Sequence, residues 1–202
     1  MQAFRSHYGI MLPIDRDNVD TDAIVPQRWL ITVERKGLGK GLFGSWRYDE
    51  AGRDHPDFIL NRPEYANASV IVARSNYGCG SSREHAVWAH LDYGIRAIVA
   101  PSYGSIFYEN CLKNGLLPVV LAEDKVNGLI GQALAGDGSG LAVDLESNQL
   151  TGPDGMVYDF TMDAGRRRSL LDGQDDIAAT LTQRESIDIF EVWQRRTNPR
   201  LG

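Results

Sequence analysis

Residues 75–86, SNYGCGSSREHA, gather two glycines, adjacent serines, an arginine, a glutamate, a histidine and one of only two cysteines in this 202-residue chain. Four kinds of chemistry use such residues. Ser81-x-x-Glu84 has the spacing of a capping box, with Ser81 as N-cap and Glu84 reaching back, but a cap needs neither Gly78, Gly80 nor Arg83. Glycines between a strand and a helix are where phosphates bind, yet the pattern is G-C-G-S-S-R, neither G-x-G-x-x-G nor G-x-x-x-x-G-K-[ST]. A hydrolase serine needs a separate base and a G-x-S-x-G elbow, whereas His85 and His90 fall on the helix predicted to carry the serines. Cys79 with His85 offers two ligands, too few for a closed metal site, so Cys79 reads as a small buried residue. What survives is a strand-to-helix turn bearing two hydroxyls and one arginine, chemically suited to a polycarboxylate. Arg83 can grip a carboxylate with two parallel hydrogen bonds, and peptide N–H donors would lower the cost of a serine alkoxide acting as base on a carbon acid. A surface salt bridge explains Arg83 equally well.

A second constellation, DNVDTDAIVPQ (17–27), sets Asp17, Asp20 and Asp22 in one predicted loop. An Asx-rich turn whose carboxylates cap local N–H groups accounts for the three, and their spacing is not that of an EF-hand. Arg166–Arg168 read as a solvated basic patch. The net charge of −6 argues against a general nucleic-acid binder. Two cysteines form no disulfide framework and supply too few thiolates for an iron–sulfur or zinc-thiolate site of their own. With no long apolar run at the N-terminus or later, the expectation is a cytoplasmic protein with no membrane span.

These residues need a scaffold, and the hydrophobic pattern supplies one. HYGIMLPI predicts a first strand. SVIVAR (69–74), RAIVA (96–100) and LLPVVL (116–121) read as buried strands separated by helices, SSREHAVWAHLDY closed by Gly94 and SIFYENCLKN stopped by Gly115. The alternation implies parallel strands with crossover helices, an α/β fold. QRWLITVERKGLGKGLFGSWRYDEAGRDHPDF predicts a short helix followed by a long mobile loop, covering 35–55. VNGLIGQALA predicts another helix, and the run around GPDG a hairpin. The tail from Asp175 reads as helical with a break near Ser186. A single domain over 1–202 is expected, with the parallel part and the hairpin sharing one core.

In order and spacing, NVDTDAIVPQRWL (18–30), NYGCGSSREHA (76–86) and PSYGSIFYENCLKNGLLPV (101–119) resemble the small subunits of 3-isopropylmalate dehydratases, a family similar to the mobile swivel domain of the aconitases. The resemblance implies an aconitase-swivel-like β/β/α domain and a hydro-lyase subunit, active only with a large subunit. The enzyme would isomerise 2-isopropylmalate to 3-isopropylmalate through 2-isopropylmaleate, for leucine biosynthesis. It implies a [4Fe–4S] cluster held by the large subunit, not by this chain, and acting as Lewis acid on the leaving hydroxyl. By position, Ser81 matches the base serine, Ser82 its neighbour in the substrate environment, Arg83 the carboxylate-binding arginine and Asp22 an active-site aspartate. Arg28 is the nearest match to a second arginine that aconitases draw from this domain, although QRWLITVE departs from their pattern. An apolar WLI within 28–34 suits an isopropyl group, while a buried Trp29 would explain the same letters. Dehydratases of other substituted malates (citraconate, homocitrate, dimethylmalate) and a non-catalytic polycarboxylate-binding module are the competing readings.

Overall fold

The computed structural model describes residues 1–30, 36–136, 138–174 and 184–197. A seven-stranded sheet runs in the order β4-β3-β2-β1-β5-β6-β7. Its strands are β1 (Ser6–Ile14), β2 (Ala68–Ala73), β3 (Ala97–Ala100), β4 (Leu117–Val120), β5 (Gly140–Asp144), β6 (Gln149–Thr151) and β7 (Val157–Asp159). β1 to β4 are parallel and β5 to β7 antiparallel. β1 serves both halves, pairing Ser6–Ile10 with β5 and Ile10–Ile14 with β2.

The parallel strands read as unbroken apolar runs because both faces are covered. Alternation divides their side chains between two cores. Met11, Val70, Val72, Ala97 and Val99 enter one, while Leu12, Ile14, Ile71, Ala73, Ile98 and Ala100 enter the other. The helices are α1 (Thr21–Ile24), α2 (Gly44–Arg47), α3 (Glu84–Tyr93), α4 (Ser105–Asn114), α5 (Glu123–Ala135), α6 (Ala164–Asp172) and α7 (Arg184–Thr197). α3 and α4 are the predicted crossovers, and α5 covers the opposite face through Val126, Leu129, Ile130 and Ala133. Gly94 (φ 113°) and Gly115 (φ 81°) end α3 and α4 in the left-handed conformation that glycine adopts without penalty.

Three local expectations change. Over 36–65 the chain is not a featureless loop but a chain of short helical turns, and Leu38, Leu42, Phe43 and Leu60 are buried against α3 and the sheet. Gly39 is there because a Cβ would lie 2.6 Å from the Tyr93 amide nitrogen at the end of α3. The predicted hairpin is the outer half of a three-stranded meander: GPDG joins β6 to β7, closed by Gly152 N–H donating to Met156 O at 2.9 Å, and β5 precedes them. α7 runs through Ser186 unbroken. The start of the predicted tail helix, 175–183, and residues 31–35 lie outside the described residues.

Candidate active site

In a parallel sheet the loops that follow the strands all leave at one end, where ligands collect. Here three such loops are joined by backbone pairing. After β1, Asn18 N–H donates to Ser75 O at 3.0 Å, and Gly78 N–H returns to Val19 O at 2.7 Å. Thr21 N–H then donates to Cys79 O at 2.9 Å, and Asp20 and Cys79 form a parallel bridge. After β3, Tyr77 N–H reaches Ser102 O (3.1 Å) and Gly104 N–H reaches Tyr77 O (2.9 Å). The three sequence segments that stand out, 18–30, 76–86 and 101–119, are thus neighbours because the loops prolong the β1–β2–β3 pairing beyond the strands.

The glycines make this approach possible. Gly78 has φ 72°, and a Cβ on it would stand 2.2 Å from Cγ of Phe107; one on Gly104 would meet Gly78 O at 2.4 Å. Beneath the turn, Tyr77, His90 and Phe107 form an aromatic cluster with ring centroids 5.6–5.9 Å apart. His90 Nδ1 lies 2.6 Å from Ala86 O, a pure acceptor, so it carries the proton, and Nε2 accepts from the Tyr77 hydroxyl at 2.8 Å. Burial lowers the His90 pKa to about 4, so the ring is neutral at pH 7.

The capping box does not form. α3 begins at Glu84, with Arg83 in extended conformation (φ −123°, ψ 101°) at the N-cap. Glu84 is therefore the first helical residue, two positions short of the third that a capping box needs. Its carboxylate instead accepts from Asn114 Nδ2 (2.9 Å) and Trp88 Nε1 (3.3 Å), tying α3 to the end of α4. Ser81 and Ser82 lie before the helix, both exposed.

Above the turn, the structure brings together Ser81, Arg83 and Asp22. Arg83 Nη1 forms an ion pair with Asp22 Oδ1. The hydroxyl of the buried Thr21 donates to Ser81 O at 3.1 Å and lies 3.4 Å from Ser81 Oγ. The three aspartates have separate roles: Asp17 accepts from Ser75 N–H (3.0 Å), Asp20 caps α1 through Ala23 N–H (2.7 Å), and only Asp22 meets the arginine. The expectation of a carboxylate capping a local N–H holds for Asp20 alone; Asp17 instead ties the loop after β1 to the one after β2. Arg28 stands elsewhere, donating to Gly44 O at 3.0 Å and lining a cleft with Trp29, Tyr48, Asp49, Glu50 and Gly52. Trp29 lies under Gly41 and Gly44, whose Cβ positions would be 2.7 and 2.8 Å from its ring atoms, so packing accounts for it. Thr21, Tyr77 and His90 escaped sequence reasoning. Thr21 was hidden beside Asp22 in the TD pair, and His90 reads as one helical histidine among two.

The donor set does not suit cluster ligation. Burial, then the charge of Asp20, raises the pKa of the half-buried Cys79 thiol, and burial pushes that of Cys111 far higher. Two cysteines are also fewer than the three or four thiolates that a cluster takes. Among the described residues no group of three or more His, Cys, Asp or Glu side chains is placed to hold a metal ion.

The fold is that of an aconitase C-terminal domain, the family whose model matches residues 1–124. Small subunit 1 of 3-isopropylmalate dehydratase from Bordetella pertussis is 58% identical over 202 residues, the whole of both chains. The small subunit from Azorhizobium caulinodans is 47% identical over 199 residues, covering 98% of this chain and 99% of its own. The crystal structure of 3-isopropylmalate dehydratase from Methanocaldococcus jannaschii superposes with a TM-score of 0.66 at 29% identity, covering 92% of this chain and 99% of that one. The chain belongs to the family of 3-isopropylmalate dehydratase small subunits, and so is a hydro-lyase subunit. Among the described residues, no helix is long and apolar enough to cross a membrane.

Proposed function

We propose that the chain is the small subunit of a two-subunit isomerase of leucine biosynthesis, working in the cytoplasm, that dehydrates 2-isopropylmalate to 2-isopropylmaleate and rehydrates it to 3-isopropylmalate. The observation that carries this reading is the union, on one exposed turn, of the Ser81 hydroxyl with the Arg83–Asp22 pair, in a chain alike from end to end to proteins of that name. Arg83 spends part of its fork on Asp22 in the free chain. A substrate carboxylate offers the same planar acceptor and binds there, with Ser82 beside it. Ser81, as the alkoxide with its own proton lost to solvent, takes the proton from the carbon next to the hydroxyl-bearing one, and returns a proton when water adds back. The Thr21 hydroxyl, already within 3.4 Å, turns toward Ser81 Oγ and lowers the cost of holding that oxygen as the alkoxide. In this reading the large subunit carries a [4Fe–4S] cluster that supplies the Lewis acidity at the leaving hydroxyl; the residues of this chain bind, orient and move the proton.

The test is turnover by the chain reconstituted with its large subunit. Ser81→Ala should lower kcat by about 100-fold or more with assembly intact, and Arg83→Lys should raise KM about tenfold, because one ammonium does not reproduce the fork. A Ser81→Ala complex with near-normal kcat removes the serine as base. Turnover of another substituted malate with none of isopropylmalate overturns the substrate.

A further inference from the structure

Ser81-x-x-Glu84 keeps the spacing of a capping box that the folded chain does not form. In that box the helix would start at Ser82, Ser81 Oγ would accept from Glu84 N–H, and the Glu84 carboxylate would return to Ser81 N–H. Three side chains hold the two halves apart. Glu84 Oε1 accepts from Asn114 Nδ2 at 2.9 Å and from Trp88 Nε1 at 3.3 Å. Trp88 Nε1 also donates to Asn114 Oδ1 at 3.1 Å, which closes a ring of hydrogen bonds. An indole N–H only donates, so the Asn114 amide is fixed with its oxygen toward Trp88 and its nitrogen toward Glu84. Asn114 is itself tied down: it is the last residue of α4, and its Nδ2 donates to Asn110 O at 2.9 Å. At the other end, Ser81 O, which in a cap would accept from the first turn of the helix, accepts from the Thr21 hydroxyl at 3.1 Å.

The two arrangements place the site differently. α3 is anchored by Ala86, Val87 and Ala89, all buried. A helix starting at Ser82 would take Arg83 from its extended ψ of 101° to about −42°. With α3 fixed, that rotation swings Ser81 and Ser82 rather than the helix, and the Ser81 hydroxyl is spent on a helix N–H. Resting on the function proposed above, we propose that Asn114 is a positioning residue: by holding Glu84 it keeps the capping box open, and so keeps Ser81 and Arg83 in the arrangement that substrate binds. It acts through Glu84, 30 residues away in the chain. Substrate that binds only the open arrangement sees an apparent KM raised by the inverse of the open fraction, while saturating substrate draws the closed chains back and restores kcat.

The experiment reads both the population and the kinetics. On the free full-length chain, the Cα chemical shifts of Ser82 and Arg83 report extended or helical backbone without substrate or partner. In Asn114→Ala they are expected to move toward helical values. In the reconstituted pair the same variant is expected to raise KM for 2-isopropylmalate about fivefold or more, with kcat within about twofold of wild type. In the Glu84→Ala/Asn114→Ala double variant the box has lost its carboxylate; the shifts are expected to return to extended values and KM to within about twofold of wild type. Trp88→Phe keeps a flat ring and removes the shared donor, so it gives the same signs with a smaller rise, and it carries the test where Asn114→Ala does not fold. Wild-type shifts in a folded Asn114→Ala chain, or in Trp88→Phe when that variant stands in, overturn the proposal. So does a double variant with KM as high as that of Asn114→Ala, or a lowered kcat at unchanged KM. Because the shifts are read without substrate, a pair whose shifts move as expected but whose wild type leaves isopropylmalate untouched refutes the substrate assignment and not the control of the helix start by Asn114.

Discussion

Removing one hydroxyl next to the candidate base tests the site without disturbing its scaffold. Thr21→Val keeps the shape of a side chain that is 2% exposed and leaves the Thr21 N–H to Cys79 O bond in place. What goes is Oγ1, the donor to Ser81 O at 3.1 Å and the neighbour of Ser81 Oγ at 3.4 Å. On stability the loss is one ordinary hydrogen bond, about 1 kcal/mol, since the exposed Ser81 lets water reach its carbonyl. On rate the effect is larger, because the Ser81 alkoxide loses the donor that stabilises its charge. Removing a preorganised donor to an oxyanion costs about 100- to 1000-fold. A contact that starts at 3.4 Å belongs below that range, at about 10- to 100-fold in kcat, or roughly 1.4–2.7 kcal/mol. The assay is dehydration of 2-isopropylmalate by the reconstituted pair, with kcat and KM separated and denaturant unfolding run in parallel. Thr21→Ser should recover most of the rate, because it restores the oxygen. A Thr21→Val enzyme within twofold of wild-type kcat refutes the reasoning.

Gly78→Ala combines a left-handed backbone with a Cβ that would stand 2.2 Å from the Phe107 ring; the expected loss of roughly 2–5 kcal/mol would appear as a lowered denaturation midpoint, partly regained with Phe107→Leu. A midpoint unchanged from wild type would show that the turn yields instead. His90 gives a pH dependence whose sign follows from its lowered pKa. The unfolded imidazole protonates near 6.5 and the folded one near 4, so between these values protons favour the unfolded chain. The contribution is present above pH 6.5 and is lost as pH falls to about 4, at up to about 1.4 kcal/mol per unit. Unfolding free energies measured at pH 7, 5.5 and 4.5 should decline accordingly, and His90→Phe should flatten that decline.

Much of the fold was legible because the two periodicities differ so plainly. SVIVAR, RAIVA and LLPVVL are short, mainly apolar runs containing valine or isoleucine, as expected of strands covered on both faces, and Gly94 and Gly115 stop the intervening helices in register with the structure. The segment 36–65 was not legible, since 3₁₀ turns have no strong apolar period and its glycines announce flexibility. They are there instead because the chain approaches closely: Gly39 against the Tyr93 backbone, Gly41 against the Trp29 ring. A close approach between distant segments leaves no local pattern to read.

The candidate site divides along the same line. Ser81, Arg83 and Asp22 were picked out by residue type and resemblance, and the structure places the arginine on the aspartate. The capping box failed because spacing alone does not say where a helix begins. Glu84 had a stronger use in Asn114 and Trp88, 30 and four residues away, and a carboxylate held there does not turn back to cap. That diversion has a chemical consequence. An N-cap serine would have spent its hydroxyl on a helix N–H; starting α3 two residues later leaves Ser81 outside the helix, its side chain answering only to Thr21 among the hydrogen bonds of the turn. Thr21 is held there by the backbone pairing of the loops after β1 and β2, 60 residues apart in the chain. A base that must gain and lose a proton needs a neighbour that can both donate and accept, and a hydroxyl fixed by a buried backbone provides one.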